Sequence, residues 1–256
     1  MVDAHYSEPR LVALYDEDNA GRWDVDFYAG MLSTLSSQRG PLRIADVGCG
    51  TGNFAVELAR GGHTVTGIDP AAGMLDAARS RDGGELVTWL EGTAADLPAG
   101  PIDAAVMTGH AFQCLLPEAD ILLTLQAVSS RLSPGGIFFF ESRNPAVKAW
   151  LEWDSSSAGP ALQESSAGML EVEWELIAVQ EEPDGVLVTF EDRTLFLADG
   201  ERFTSRSTLK FTPADVLAGL VERAGFSEAD WYGDWNGGPL DPSSSPEIIV
   251  AARMPS

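Results

Sequence analysis

The stretch "IADVGCGTGNF", residues 44–54, decides the fold. An apolar run ends, glycines fall at Gly48, Gly50 and Gly52, and a segment with helical apolar spacing follows. A strand, a glycine-rich turn and a helix in that order aim unsatisfied N–H groups at whatever sits in the turn. Missing side chains let that ligand lie on the main chain. The dinucleotide pattern G-x-G-x-x-G is one candidate. Gly48 and Gly50 fit it, but position 53 is Asn and the third glycine stands at 52. The spacing is therefore G-x-G-x-G, with Asp46 two residues ahead of it. This disfavours a nicotinamide-dependent oxidoreductase.

Around this stretch, strand-like and helix-like segments alternate. Strands are predicted over 42–47, 63–69, 86–92, 102–109 and 137–142. Helices are predicted over 51–62, over 70–81 with Pro70 at the start, and from Pro117, the last ended by Pro134, Gly135 and Gly136. Such alternation with short connections predicts a mainly parallel, doubly wound sheet covered on both faces. After residue 145 the pattern changes. Residues 148–168 read as a mobile loop, and three period-two segments then predict an antiparallel meander. In that meander, Arg193, Arg202, Arg206 and Lys210 either funnel an anionic substrate or pair across strands with Glu171, Glu173 and Glu175, the pairing being preferred. A helix follows, with Thr212 expected at its N-cap and Pro213 at its first position, and two closing strands end the chain. One domain is expected. It has an N-terminal helical cover (1–40), a core (41–145 and 212–256) and an inserted β lid (146–211) able to roof the ligand crevice.

Composition narrows the partners. Of 256 residues, 39 are acidic and 16 are Lys or Arg, a net charge of −23. Nucleic-acid binding runs on cationic contacts to phosphate, so the balance speaks against DNA and RNA, and against anionic membranes. No apolar window is long enough to span a bilayer, and "MVDAHYSEPR" lacks a secretory pattern, so a cytoplasmic location is expected. The two cysteines, Cys49 and Cys114, are expected to be free thiols. Two cysteines and three histidines without paired spacing predict no metal site. Monomer and homodimer are equally compatible with the chain.

"VGCGTG" behind an acid is similar to motif I of the class I S-adenosylmethionine-dependent methyltransferases of the small-molecule type. The likeness continues in register through "VTGIDPAAGMLDAAR", "WLEGTAADLP", "IDAAVMTGHAFQCL" and "LSPGGIFFFESRNP", covering 42–145 and, more loosely, 212–253. It implies a Rossmann-like seven-stranded sheet with an antiparallel last strand. It also implies S-adenosyl-L-methionine as cofactor and S-adenosyl-L-homocysteine as product. By the resemblance, Gly48, Cys49, Gly50 and Gly52 carry the methionine part of the cofactor, and Asp46 orders the loop from beneath. Asp69 takes the ribose hydroxyls, a role its acceptor-only carboxylate suits, with Pro70 beside it. Met74 packs on the adenine, and Thr93 and Ala94 line the adenine side. Thr93 stands where the family usually has an acid, so recognition of the exocyclic amine is expected to pass to Asp96 or to backbone. "DVDFYAGM" is similar to an N-terminal family element, which implies that Tyr28 approaches the cofactor from above.

Thr108 and Gly109 leave the fourth strand where the methyl group is expected to point. His110 follows them and is the candidate general base, titrating near neutrality. Gln113 and Arg143 are the substrate candidates. Gln113 would orient a polar group, while Arg143 would clamp an acidic one or pair with Glu141, the pair being preferred. Trp231 and Trp235 either close over the site or pack in the core. The expected acceptor is a small molecule methylated on N or O. A non-catalytic protein that binds the cofactor or its product is the alternative.

Overall fold

The computed structural model describes residues 3–153, 155 and 159–256. Three helices come first, α1 (Ala4–Ser7), α2 (Pro9–Asp18) and α3 (Trp23–Arg39). The alternating core follows with β1 (Arg43–Val47), α4 (Asn53–Arg60), β2 (Thr64–Asp69), α5 (Ala72–Ser80), β3 (Thr88–Glu91), β4 (Ile102–Met107), α6 (Glu118–Ser129) and β5 (Leu132–Arg143). A second sheet is made by β6 (Ala161–Ser165), β7 (Gly168–Glu182), β8 (Gly185–Phe196) and β9 (Arg202–Phe211). The chain closes with α7 (Ala214–Arg223), β10 (Glu228–Tyr232) and β11 (Glu247–Arg253).

The first sheet has seven strands in the order β10-β11-β5-β4-β1-β2-β3. Strands β1 to β5 are parallel, and β11 runs antiparallel between β5 and β10. Order reverses between β1 and β4, and ligands of such sheets bind at that switch, outside the strands' C-terminal ends. Burial on both faces explains the near-continuous apolar strands. Ala45, Val47, Phe138 and Phe140 pack with Leu125 and Leu217 on one face. Ile44, Val106 and Phe139 pack with Leu32 and Phe54 on the other. Both closing strands form, and they bury Ile248, Ile249 and Val250. Among the described residues, no helix is long and apolar enough to cross a membrane.

The structure corrects several local expectations. The fifth strand starts at Leu132 rather than 137, because residues 134–136 form a bulge inside it; its register against β4 jumps from Ile102↔Leu132 to Ala104↔Ile137. Pro213, not Thr212, is the N-cap of α7, so that helix begins one residue later. The stretch expected to be a mobile loop contributes a short 3-10 turn at Ala149–Glu152 and then β6, which makes the second sheet four-stranded. Residues 154 and 156–158 of that stretch lie outside the described residues. In the second sheet Arg193 meets Glu173, Glu175 and Glu191, and Arg206 meets Glu191. Lys210 instead turns inward to Asp184, 2.6 Å away.

Candidate functional site

The glycines stand at φ 69° (Gly48), 53° (Gly50) and 77° (Gly52), the left-handed region that L side chains avoid. Their surroundings separate them. A Cβ on Gly52 would sit 2.4 Å from the Trp89 ring and 2.9 Å from the Ala78 Cβ. One on Gly48 would sit 2.9 Å from the Ala111 Cβ. On Gly50 the nearest atom would be Tyr15 Cε1, at 3.9 Å. Gly48 and Gly52 are therefore bare for internal packing, whereas Gly50 has room for a Cβ beside Tyr15.

The loop is pinned to β2. Gly48 N and Cys49 N donate to the Ile68 carbonyl at 2.8 and 3.2 Å, and Gly50 N donates to Asp69 Oδ2 at 2.9 Å. Asp69 Oδ1 accepts from Ala71 N at 2.8 Å. Each carboxylate oxygen thus spends one lone pair on the fold and keeps one. Burial raises this carboxyl above the usual Asp range. Asp46 lies beneath, fully buried, with Oδ1 unpartnered; burial and the charge of Asp69 push it up to about 7. A bare Gly50 and a strand-end carboxylate with acceptor capacity left over fit the cofactor that the sequence implies.

Above Gly50 stands a wall that the sequence did not reveal. His5, Tyr6 and Tyr15 form a cluster with ring centroids 5.3–6.2 Å apart. Asp16 ties α2, which carries Tyr15, to the loop by accepting from Thr51 Oγ1 at 2.6 Å and from Arg81. Met74 is buried, packing on Val12 and Ala71 with Tyr6 and Tyr15 alongside. Pro70 is exposed beside Asp69. Ala94 is buried in the core, while Thr93 and Asp96 form a capping box: Asp96 Oδ2 accepts from Thr93 N at 2.9 Å and from Thr93 Oγ1 at 3.2 Å. Asp96 thus braces its own turn through Oδ2. Cys49 and Cys114 are free thiols. No group of three or more metal-ligating side chains occurs among the described residues.

At the end of β4, Thr108 and Gly109 lead into His110, whose φ of 59° is unusual for a residue with a side chain. Hydrogen bonds stabilise the bend. Gly109 N donates to Asp24 Oδ2 at 3.2 Å, and His110 N donates to Glu141 Oε1 at 2.6 Å. The other Glu141 oxygen accepts from the Tyr28 hydroxyl at 2.5 Å. His110 Nε2 lies 3.0 Å from Glu247 Oε2, and Trp235 packs edge-on against the imidazole. Burial lowers the histidine below its usual value and raises Glu141 to about 8. Tyr28 is entirely buried, so it supports Glu141 from within the core rather than facing the crevice from above.

The preferred Glu141–Arg143 pair does not form, since both Glu141 oxygens are engaged elsewhere. Arg143 Nη1 instead donates to Gln113 Oε1 at 2.9 Å. Trp235 touches Phe27, Tyr28 and His110, while Trp231 packs against the core.

A family model described as a methyltransferase domain matches residues 44–136. The chain is 26% identical over 190 residues to the putative methyltransferase YqeM of Bacillus subtilis, covering 72% of this chain and 73% of that one. These matches and the fold support a class I S-adenosylmethionine-dependent methyltransferase. The methyltransferase is also 35% identical over 112 residues to a ubiquinone biosynthesis O-methyltransferase of Azorhizobium caulinodans, and the match spans 43% of each chain. Its fold is shared with CalS10, an amino pentose methyltransferase of Micromonospora echinaspora solved with S-adenosylmethionine bound: TM-score 0.66, 19% identity, 94% of this chain and 97% of that one. The methyltransferase model ends at 136, before Glu141 and Arg143 and before the second sheet. His110 and Gln113 thus fall inside the matched segment, while Glu141, Arg143 and Glu247 fall outside it.

Proposed function

We propose that this methyltransferase moves a methyl group onto a nitrogen or oxygen of a small-molecule acceptor by in-line displacement, between the C-terminal ends of the first sheet and a lid made by the second sheet and α1–α2. The observation that carries the reading is Gly50, bare at a positive φ, opposite Tyr15 and bonded through its N–H to Asp69. When bound, S-adenosylmethionine supplies a methyl group already activated on a sulfonium and leaves as S-adenosylhomocysteine. The chain has to position, exclude water and move one proton.

Main chain at Gly50, with Cys49 beside it, takes the methionine end. The free lone pairs of Asp69 take the ribose hydroxyls, and Asp46 holds the loop from below. Met74, Thr93 and Ala94 border the adenine end. Tyr6 and Tyr15 roof the crevice against water. His110 is the base. Burial keeps it neutral, and with Nε2–H donated to Glu247, Nδ1 is left to accept a proton. Its αL bend, held by Asp24 and Glu141, aims it past the end of β4. The acidic exterior favours an enclosed small acceptor over nucleic acid.

Two measurements test this. Thermal melting with S-adenosylhomocysteine is expected to rise, and with NAD or NADP to stay put. Labelled methyl from S-adenosylmethionine is expected to enter a metabolite fraction, and His110→Ala to lower that turnover about a hundredfold. A pyrophosphate bound at Gly50 would refute the cofactor assignment. An unchanged rate in the His110 variant would refute the base.

A further inference from the structure

We propose that Arg143 is the anchor for a carboxylate carried by the methyl acceptor, so that this enzyme's substrates are small monoanionic carboxylic acids. The proposal rests on the methyltransferase reading and adds the acceptor's chemical class to it.

The argument begins with what Arg143 lacks. The chain has 39 carboxylate side chains for 16 cations, so a guanidinium inside the protein has no shortage of possible partners. Two glutamates are its immediate neighbours, Glu141 two residues earlier on β5 and Glu247 opposite it in register on β11. Neither takes it. Glu141 is spent on Tyr28 and the His110 amide, and Glu247 is turned to the His110 ring. Among the described residues, no carboxylate lies within ion-pair distance of Arg143.

What Arg143 does have is a mount. Its Nη1 donates to Gln113 Oε1 at 2.9 Å. Gln113 is fully buried, and its Nε2 donates to the Lys210 carbonyl at 3.1 Å, which fixes which way the amide points. The guanidinium carbon sits 5.1 Å from the Trp153 ring centroid. A core turn (Gln113), a second-sheet strand (Lys210) and the segment between the sheets (Trp153) thus converge to hold one cation. Guanidinium offers five N–H donors in a rigid fork, and one is used. The fork matches a carboxylate in bidentate geometry.

Its place is right for a substrate. Gln113 belongs to the turn whose Ala111 abuts Gly48, and His110 opens that turn. The anchor is therefore one hydrogen bond from the turn that joins the cofactor loop to the base. A monoanion is favoured over a phosphate dianion for a physical reason. One guanidinium must balance the ligand while Glu247 stands opposite it and Asp24 binds Gly109 beside the base, and among the described residues no lysine joins it. In a half-buried site, each further negative charge meets that repulsion.

The test titrates small probes into the enzyme saturated with S-adenosylhomocysteine, by calorimetry. The probes are acetate and benzoate, their neutral counterparts acetamide and benzamide, and phenyl phosphate. In the wild type, at least one carboxylate is expected to bind tenfold or more tightly than its amide and more tightly than phenyl phosphate. Arg143→Met is expected to erase that preference, Arg143→Lys to keep part of it, and both to bind S-adenosylhomocysteine as the wild type does. Equal binding of acids and amides, or a preference that survives in Arg143→Met, overturns the proposal. Stronger binding of phenyl phosphate overturns the carboxylate assignment. Should S-adenosylhomocysteine itself fail to bind, the cofactor assignment is what fails, and the same titrations on the ligand-free protein still decide the anchor.

Discussion

At the scale of single residues, three glycines that look alike in sequence have different jobs. Gly52→Ala places a methyl group into the Trp89 ring, and overpacking of this kind costs about 1–3 kcal/mol. Gly50→Ala has room for its Cβ, so its stability cost is the left-handed backbone alone, about 1–2 kcal/mol. Its larger effect is expected on S-adenosylhomocysteine affinity, which calorimetry reads beside a denaturation curve. Asp69→Ala is expected to weaken that affinity about a hundredfold, two hydrogen bonds to a charged acceptor being lost. Asp46 tests pH. Its folded value of about 7 lies above the unfolded carboxylate's, so the folded state binds more protons between roughly pH 4 and 7. Asp46 therefore favours folding at the acid end of that window and loses its contribution as pH rises through it. Asp46→Asn is expected to flatten the pH dependence of urea unfolding across this range, and an unchanged slope would contradict the assignment. The loop and Asp69 were legible because they are contiguous motifs. Tyr15 and Asp16 were not, because Asp16 meets Thr51 and Arg81, 35 and 65 positions away.

At the scale of elements, α1 and α2 work as a strap between the two sheets. Asp3 accepts from Ser205 Oγ at 3.2 Å and from Ser207 Oγ. Arg10 stacks 3.6 Å over Phe196 and pairs with Asp199 and Glu201 in the β8–β9 turn. At the other end Asp16 grips the loop before α4. Asp16→Ala is expected to speed amide hydrogen exchange through residues 9–18 about tenfold, in line with the 1–3 kcal/mol of a charge-assisted bond. Exchange confined to wild-type rates would mean that the apolar contacts of Leu11 and Leu14 hold the strap alone. Periodicity had already marked the core elements, whose apolar faces repeat. It missed β6, since "ALQES" carries little strand pattern and is recruited by the edge of β7.

At the scale of the whole molecule, the net charge of −23 repels itself in the compact state. Several arginines sit amid carboxylates, as Arg193 does among Glu173, Glu175 and Glu191, and such exposed pairs contribute little each. Added salt should therefore relieve more repulsion than it removes attraction. The melting temperature is expected to rise by a few degrees between about 20 and 300 mM sodium chloride, read by calorimetry. A fall would mean that the ion pairs outweigh the self-repulsion.

The alternation of strands and helices, the glycine turn and the carboxylate ending β2 were written in the chain itself. Each depends on local periodicity or on neighbours a few residues apart. The roof of aromatic rings over Gly50, the burial of Tyr28 behind Glu141 and the partnering of Arg143 with Gln113 were decided only when distant segments met. Side-chain partners across a fold depend on which groups arrive together with their hydrogen-bonding capacity still free, and no spacing along one strand or helix records that.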